Sequence, residues 1–222
     1  MKQLTFGQRP RRDGKPRKRP GPKPGARRGV PHTKRARHVR WNPIHITLRA
    51  ANDLPSFRQQ LIYLAFLKAF RTTRREDFRI IEFSVQKNHL HLIVEAENND
   101  ALARGMKSFT VRSNRLFNAA SGRRRGQVWA GRYHRADLKT PRQVRNAIVY
   151  VINNGRKHGE VTSPKLVIDA CSSAPWFLGW TLARTVREGP RPTEEPRTFL
   201  LSRLWQKHGR IHPTETPGPL AH

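Results

Sequence analysis

Residues 81–94 read IEFSVQKNHLHLIV, and this stretch decides the fold. Apolar side chains recur at every second position on both sides of the polar link at residues 86–88, which predicts a β-hairpin. Side chains on a strand alternate, so His89 and His91 project from one face of the second strand while its leucines point to the other. If helices bury the leucines, the two imidazoles lie side by side on the opposite face of the sheet.

A strand and a helix are predicted before the hairpin. Alternation from Ile44 to Leu48 predicts a strand that carries His45, Thr47 and Arg49 on its other face. Asp53 and Pro55 are typical of a helix start, and apolar residues then recur at helical spacing. The side chains expected to be buried are Ile44, Ile46 and Leu48 in the strand, Phe57, Leu61, Leu64, Leu67 and Phe70 in the helix, and Ile81, Phe83 and Val85 in the first hairpin strand.

Two helices and a strand are predicted after the hairpin. A second amphipathic helix ends near Gly122, and a fourth strand spans residues 127–138. Thr140 as N-cap and Pro141 at the first helical position open a third helix, which Gly155 closes at its C-cap. The first six elements predict an α+β, ferredoxin-like (split βαβ) antiparallel sheet with helices on one face, which leaves the other face open for a site.

Composition divides the chain into three parts. Residues 1–40 hold 15 Lys or Arg, six Pro, five Gly and one acidic residue, which predicts a disordered basic arm. A solubilising tail is the alternative for this arm. Residues 41–159 carry the predicted folded domain. Residues 160–222 are broken by prolines and predict a partly helical C-terminal extension whose role stays open.

The net charge of +30 indicates a polyanionic partner, with nucleic acid as the first candidate. A membrane partner is poorly supported, because the chain lacks a run of about 18 apolar residues. The N-terminal residues lack the apolar core of a secretory signal, so we expect a cytoplasmic, nucleoid-associated protein. Cys171 is the single cysteine, which excludes an internal disulfide and a Cys-rich zinc site.

Tyr150 and Asn154 lie four residues apart on the third predicted helix and so share one of its faces. If this helix lies along the open face of the sheet, Tyr150 comes near the two histidines. A phenol is a poor nucleophile at its usual pKa of about 10, but a divalent cation that polarises a phosphate makes its attack feasible. Taken alone, His-X-His is a modest signal that a packed or hydrogen-bonded pair also explains, and Tyr150 is compatible with a structural ring.

Two other tyrosines are candidates for the nucleophile, and a set of basic side chains is a candidate DNA-binding surface. Tyr133 lies beside His134, and Tyr63 lies mid-helix among apolar residues, but only Tyr150 has an asparagine four residues later on a helix. The polar face of the second helix and the turn after it predict a DNA-tracking groove, with a solvated face as the alternative. The basic residues of this predicted groove are Arg104, Lys107, Arg112, Arg115, Arg123, Arg124 and Arg125.

The motif His89-Leu90-His91, followed by YVINNGRKHG at residues 150–159, resembles the REP-associated tyrosine transposases, a group of single-tyrosine HUH transposases (IS200-like). The resemblance spans roughly residues 41–159 and includes Val128-Trp129 and Arg132-Tyr133-His134 in the right order. The family usually has Asn-Pro where this chain has Asn154-Gly155. Since glycine can also terminate a helix, we expect altered flexibility more than lost activity.

The resemblance implies an HUH-type endonuclease and strand transferase that acts on single-stranded, hairpin-bearing DNA. Mg²⁺ or Mn²⁺ would be held by His89, His91 and a third polar ligand four residues after the tyrosine, here Asn154. Tyr150 would attack the phosphate, keep the 5′ phosphate covalently and release a 3′ hydroxyl. The resemblance leaves the DNA target and the choice between monomer and homodimer open.

Two alternatives remain from the sequence alone. The same β-α-β-β-α-β core supports RNA recognition by aromatic rings stacked on the sheet, although here His89 and His91 occupy the positions of such rings. The second alternative is a domesticated relative that binds hairpin DNA without mobilising it.

Overall fold

The computed structural model describes residues 36–157, 159, 168–182, 189–216 and 218. All of them belong to one compact unit, His32–His222. Of the predicted arm, residues 1–35 lie outside the described residues. The last residues of that arm are described, and there His38 is buried and donates a hydrogen bond of 2.8 Å to the carbonyl of Ala96. These residues pack against the end of the sheet.

Four antiparallel strands form one sheet in the order β2-β3-β1-β4. One helix connects β1 to β2, a tight link joins β2 to β3, and a second helix connects β3 to β4. Chain order and strand order are those of the split βαβ, so the predicted ferredoxin-like α+β fold is confirmed. The elements are β1 (Ile44–Arg49), α1 (Gln60–Thr72), β2 (Phe78–Val85), β3 (His89–Ala96), α2 (Asn99–Ala120) and β4 (His134–Asp137).

The sheet separates two hydrophobic cores. Helices α1 and α2 cover one face, where Leu90 and Leu92 are fully buried. A third helix, α3 (Pro141–Ile152), covers the other face and packs near Ile93. It begins with a capping box in which the Thr140 hydroxyl accepts from the backbone N–H of Gln143, as the predicted N-cap requires. Its buried stripe contains the predicted residues Val144, Ala147, Ile148, Val151 and Ile152.

Two of the predicted strands differ from the structure. Ile81 was expected to share a face with Phe83, but it packs in the α3 core. The cause is a register shift between Ile80 and Glu82, because one extra residue reverses the alternation of side chains. The strand predicted for residues 127–138 forms only as β4, and Trp129 makes an isolated bridge to Ala50.

Helix α1 begins later than predicted. It starts at Gln60, well after Asp53, and its buried face differs in part from the expected one. Leu61 and Leu64 are 67% and 49% exposed. Leu67 and Phe70 are buried as predicted, and the further buried residues of α1 are Ile62, Tyr63, Phe66 and Ala69.

Gly155 does not close α3, which corrects the predicted C-cap. The C-cap of α3 is Asn153, and the chain then forms one further helical turn, α4 (Asn154–Lys157). The φ angle of Gly155 is not positive. A Cβ atom there would instead collide with the Asp169 carboxylate, which Arg58 holds through hydrogen bonds of 2.7 and 3.0 Å. Glycine is thus required by close packing and not by a left-handed conformation.

The described segments of the C-terminal extension complete the core on the α3 side. Trp180, Trp205 and Ile211 are buried there together with α3. In the buried ion pair between these segments and β2, Arg191 Nη2 lies 2.7 Å from Glu82 Oε1. The helical pieces are a 3₁₀ helix (Ala174–Trp176), α5 (Phe199–Ser202) and a second 3₁₀ helix (Leu204–His208). No helix in the described part of the chain is long and apolar enough to cross a membrane.

We expect Arg191→Met to lower the free energy of unfolding by about 3–5 kcal/mol, because it leaves the buried Glu82 carboxylate without its partner. Burial already raises the pKa of Glu82, and Arg191 opposes that effect. The loss should therefore shrink as the pH falls through the folded pKa of Glu82, since the protonated carboxyl needs no counter-charge. Urea denaturation at two pH values measures both effects. The double variant Glu82→Leu/Arg191→Met is the control and should recover most of the stability; a single variant as stable as the wild type would contradict the anchoring role.

Candidate functional site

Strand β3 presents His89 and His91 on the face of the sheet that α3 covers. The two rings meet edge to face with centroids 4.8 Å apart. His91 is buried, whereas His89 is half-buried at the start of the strand. The alternation in residues 89–94 thus places the histidines opposite the buried leucines, as expected from the sequence.

Helix α3 brings Tyr150 into contact with this pair. The centroids of its ring and the His91 ring lie 5.0 Å apart, with the ring planes at 89°. Lys157 in α4 lies against the same tyrosine, with Nζ 4.7 Å from the ring centroid. The structure therefore brings Tyr150, His89 and His91 together.

A third histidine joins the cluster from β1. His45 Nε2 lies 3.2 Å from His91 Nδ1, and the two rings are stacked with centroids 5.2 Å apart. The His45 ring also meets Tyr150 edge to face at 5.8 Å. Alternation in β1 placed His45 and Thr47 on this side of the strand, but the pairing of β1 with β3 is not visible in sequence, so its place in the cluster was missed.

The hydrogen bonds at the Nδ1 atoms set the imidazole tautomers. His89 Nδ1 lies 2.9 Å from the Asn88 amide oxygen, which can only accept, so Nδ1 carries the proton and Nε2 the lone pair. At His91, Nδ1 faces both His45 Nε2 and the Thr47 hydroxyl, each at 3.2 Å. When His91 Nδ1 donates to either group, Nε2 is the atom able to bind a metal.

Asn154 supplies the observation that tests the implied metal. Its side chain is fully buried, and neither Oδ1 nor Nδ2 has a hydrogen-bond partner among the described residues. A buried amide without a partner is costly, and a bound ion or water would offset that cost. The described ranges hold no group of three or more His, Cys, Asp or Glu able to bind a metal. An amide oxygen is a donor type that divalent cations accept beside imidazoles. The residues therefore fit a divalent cation.

Positive charge acts on the Tyr150 phenol. Arg49 is exposed at the end of β1 and pairs in register with His89, on the same face of the sheet. Burial raises the pKa of Tyr150, while the positive charge of Arg49 lowers it. The net effect is a raised pKa, so the phenol is protonated at neutral pH.

The competing tyrosines pack on the other side of the sheet. Tyr63 is buried in α1 and donates a hydrogen bond of 2.8 Å to the Ala170 carbonyl. Tyr133 packs against the core on the α1–α2 side of the sheet.

The predicted DNA-contacting residues also lie away from the cluster, because α2 covers the opposite face of the sheet. Arg104 is held by Asp77 at 2.7 Å, and the Arg123 guanidinium packs over Gly126. The sheet therefore separates this basic surface from Tyr150. The members of the set that are exposed are Arg104, Lys107, Arg112, Arg115, Arg124 and Arg125.

We expect Arg49→Met to raise the pKa of Tyr150 further, because it removes the positive charge that favours the phenolate. An alkaline titration that follows tyrosinate absorbance measures this pKa, with Tyr150→Phe as the reference that identifies the Tyr150 component. Arg142→Met, an exposed arginine on α3, is the matched control and should leave the titration unchanged. An unchanged Tyr150 pKa in Arg49→Met would show that this arginine does not act on the phenol.

Comparison with known proteins gave a structural match and a family match. A solved REP-associated tyrosine transposase bound to a REP hairpin has a similar structure, with a TM-score of 0.48 and 19% sequence identity over 60% of this chain and 77% of that chain. No curated protein matches the sequence significantly. The profile of the family described as "Transposase IS200 like" matches residues 42–154, from just before β1 to the first residue of α4. The chain therefore belongs to the IS200-like transposase family.

Proposed function

We propose that this transposase-family protein is a metal-dependent endonuclease and strand transferase, which cleaves and rejoins single-stranded, hairpin-bearing DNA through a covalent bond to Tyr150. The observation that carries the proposal is the edge-to-face contact of Tyr150 with His91, whose ring centroids lie 5.0 Å apart, next to the His89 ring. Membership of the IS200-like family supports the substrate class. The net charge of +30 suits a polyanion.

In this proposal His89, His91 and Asn154 hold Mg²⁺ or Mn²⁺. The support is the Nδ1 hydrogen bonding of both histidines and the buried, unpartnered amide of Asn154. Two imidazoles and an oxygen donor leave room for substrate oxygens. When bound, the cation polarises the scissile phosphate and offsets the charge that develops on it.

The Tyr150 oxygen attacks the phosphorus of the scissile phosphate. A bond forms between this oxygen and phosphorus, and the bond between phosphorus and the 3′ oxygen breaks. The phenol gives up its proton, the leaving oxygen takes one up, and the 5′ phosphate stays on Tyr150. Attack by another 3′ hydroxyl reverses these steps and rejoins the DNA. Arg49 and Lys157, which act on Tyr150 from β1 and α4, would orient the phosphate.

His45 and Thr47 are positioning residues in this proposal. Both face His91 Nδ1 at 3.2 Å and can accept its proton, which leaves the lone pair on Nε2. Acceptors that bond to the other ring nitrogen of a metal-binding histidine fix its tautomer and its ring orientation. The exposed cations of α2, with the turn at residues 123–125, would neutralise DNA phosphates outside the cutting site.

The nucleophile is tested with hairpin-bearing single-stranded DNA and Mn²⁺. We expect the wild type to form a protein-DNA adduct that survives a denaturing gel, and Tyr150→Phe to form none, because it lacks the attacking oxygen. Tyr133→Phe, which changes a tyrosine on the other side of the sheet, is the control and should form the adduct. An adduct in Tyr150→Phe would refute the assignment.

The positioning role is tested by Mn²⁺ affinity, measured by titration calorimetry without DNA. We expect His45→Phe/Thr47→Val to weaken binding by about tenfold, because both acceptors at His91 Nδ1 are lost. His45→Gln/Thr47→Val restores one acceptor and should regain most of the affinity. If His45→Phe/Thr47→Val binds Mn²⁺ as tightly as the wild type, His45 and Thr47 do not position His91. If a His89→Ala/His91→Ala variant still binds Mn²⁺ with wild-type affinity, the proposed metal site is wrong.

A further inference from the structure

A second cleft lies on the face of the sheet opposite Tyr150. It has a volume of about 640 Å³ and runs between α2 and the segment at residues 127–133, just before β4. Met106 and Trp129 form a buried apolar floor, and Val111 contributes an exposed apolar wall. This volume is in the range of small-ligand sites.

The chemistry of the cleft favours an anion with an apolar, planar part. Lys107 and Arg132 supply positive charge, and none of the described residues that line the cleft is acidic. Thr110 and Gln127 add hydroxyl and amide groups, and Tyr133 adds a half-buried ring. Aromatic and apolar walls beside basic side chains are what unpaired bases and their phosphates require.

We infer that this cleft binds one unpaired nucleotide of single-stranded DNA, with the base against Val111 and Tyr133 and the phosphate near Lys107 and Arg132. The choice of a polynucleotide rests on the proposed function. The occupant follows from charge complementarity, because the cleft continues the exposed basic surface of α2. A nucleotide satisfies both the apolar wall and the cations, whereas an inorganic anion satisfies only the cations.

The topology connects the cleft to Tyr150. Residues 132–133 lead directly into β4, which is the edge strand of the sheet. In the register of β1, Thr47 pairs with His134 of β4 on one side and with His91 on the other. A DNA strand that crosses the edge at β4 therefore runs from the cleft to the histidine face. Holding a base in the cleft would fix which phosphate reaches Tyr150.

Gly131→Leu tests the cleft in the full-length protein. Gly131 lines the cleft, a Cβ atom there meets nothing within 4 Å, and its φ is not positive, so a side chain can enter the space without strain. The probes are a fluorescent thymidine homopolymer and an abasic strand of equal length, compared by fluorescence anisotropy. We expect the wild type to prefer the thymidine strand, and Gly131→Leu to bind that strand at least about fivefold more weakly while binding the abasic strand unchanged.

Ala119→Leu is the matched control, since it adds a leucine to the exposed surface of α2 outside the cleft, and it should bind both strands like the wild type. Val111→Ala removes the apolar wall and should also weaken binding of the thymidine strand. Agreement between the two variants would show that the effect does not come from misfolding of Gly131→Leu. A wild type that binds both strands equally, or a Gly131→Leu protein that keeps the full preference, overturns the inference. If Gly131→Leu abolishes the preference for the thymidine strand but the wild type forms no covalent adduct with DNA, the inference about the cleft stands and the proposed nuclease activity is refuted.

Discussion

The antiparallel register of β1 against β3 is the constraint on which the candidate site depends. Thr47 pairs with His91 and Arg49 with His89, so the two strands contribute one continuous polar patch to the face under α3. A slip of one residue would turn His91 toward α1 and α2 and bring Leu90 or Leu92 to the α3 side. The same pairing that buries the leucines therefore also aligns the imidazoles, and the fold and the cluster cannot vary independently.

Periodicity predicted the parts of this arrangement that are local in sequence. The hairpin, the side of β3 that carries His89 and His91, and the Thr140 N-cap of α3 all follow from side-chain spacing over a few residues. The contact of α3 with the sheet followed because its apolar stripe needed the face that α1 and α2 leave open. These patterns suffice for the ferredoxin-like fold and for the meeting of Tyr150 with the histidine pair.

Features that depend on distant parts of the chain could not be predicted. The inward turn of Ile81 comes from a bulge, and His45 joins the cluster through a strand pairing across 46 residues. Gly155 was predicted to be a helix C-cap, but a side chain at this position would collide with Asp169 of the C-terminal extension. The basic side chains of α2 were predicted to form a DNA-tracking groove, but their separation from Tyr150 by the sheet depends on the tertiary packing of α2 and α3.

The packing of Gly155 under Asp169 has a consequence for the modularity of the family domain. The family profile ends at Asn154, yet the turn that carries this residue is covered by a carboxylate beyond the profile, which Arg58 ties back to the region before α1. Trp180, Trp205 and Ile211 likewise fill the layer beneath α3 from outside the matched segment. A graft of the matched segment alone onto another protein would carry the tyrosine and histidines but would leave their supporting layer behind.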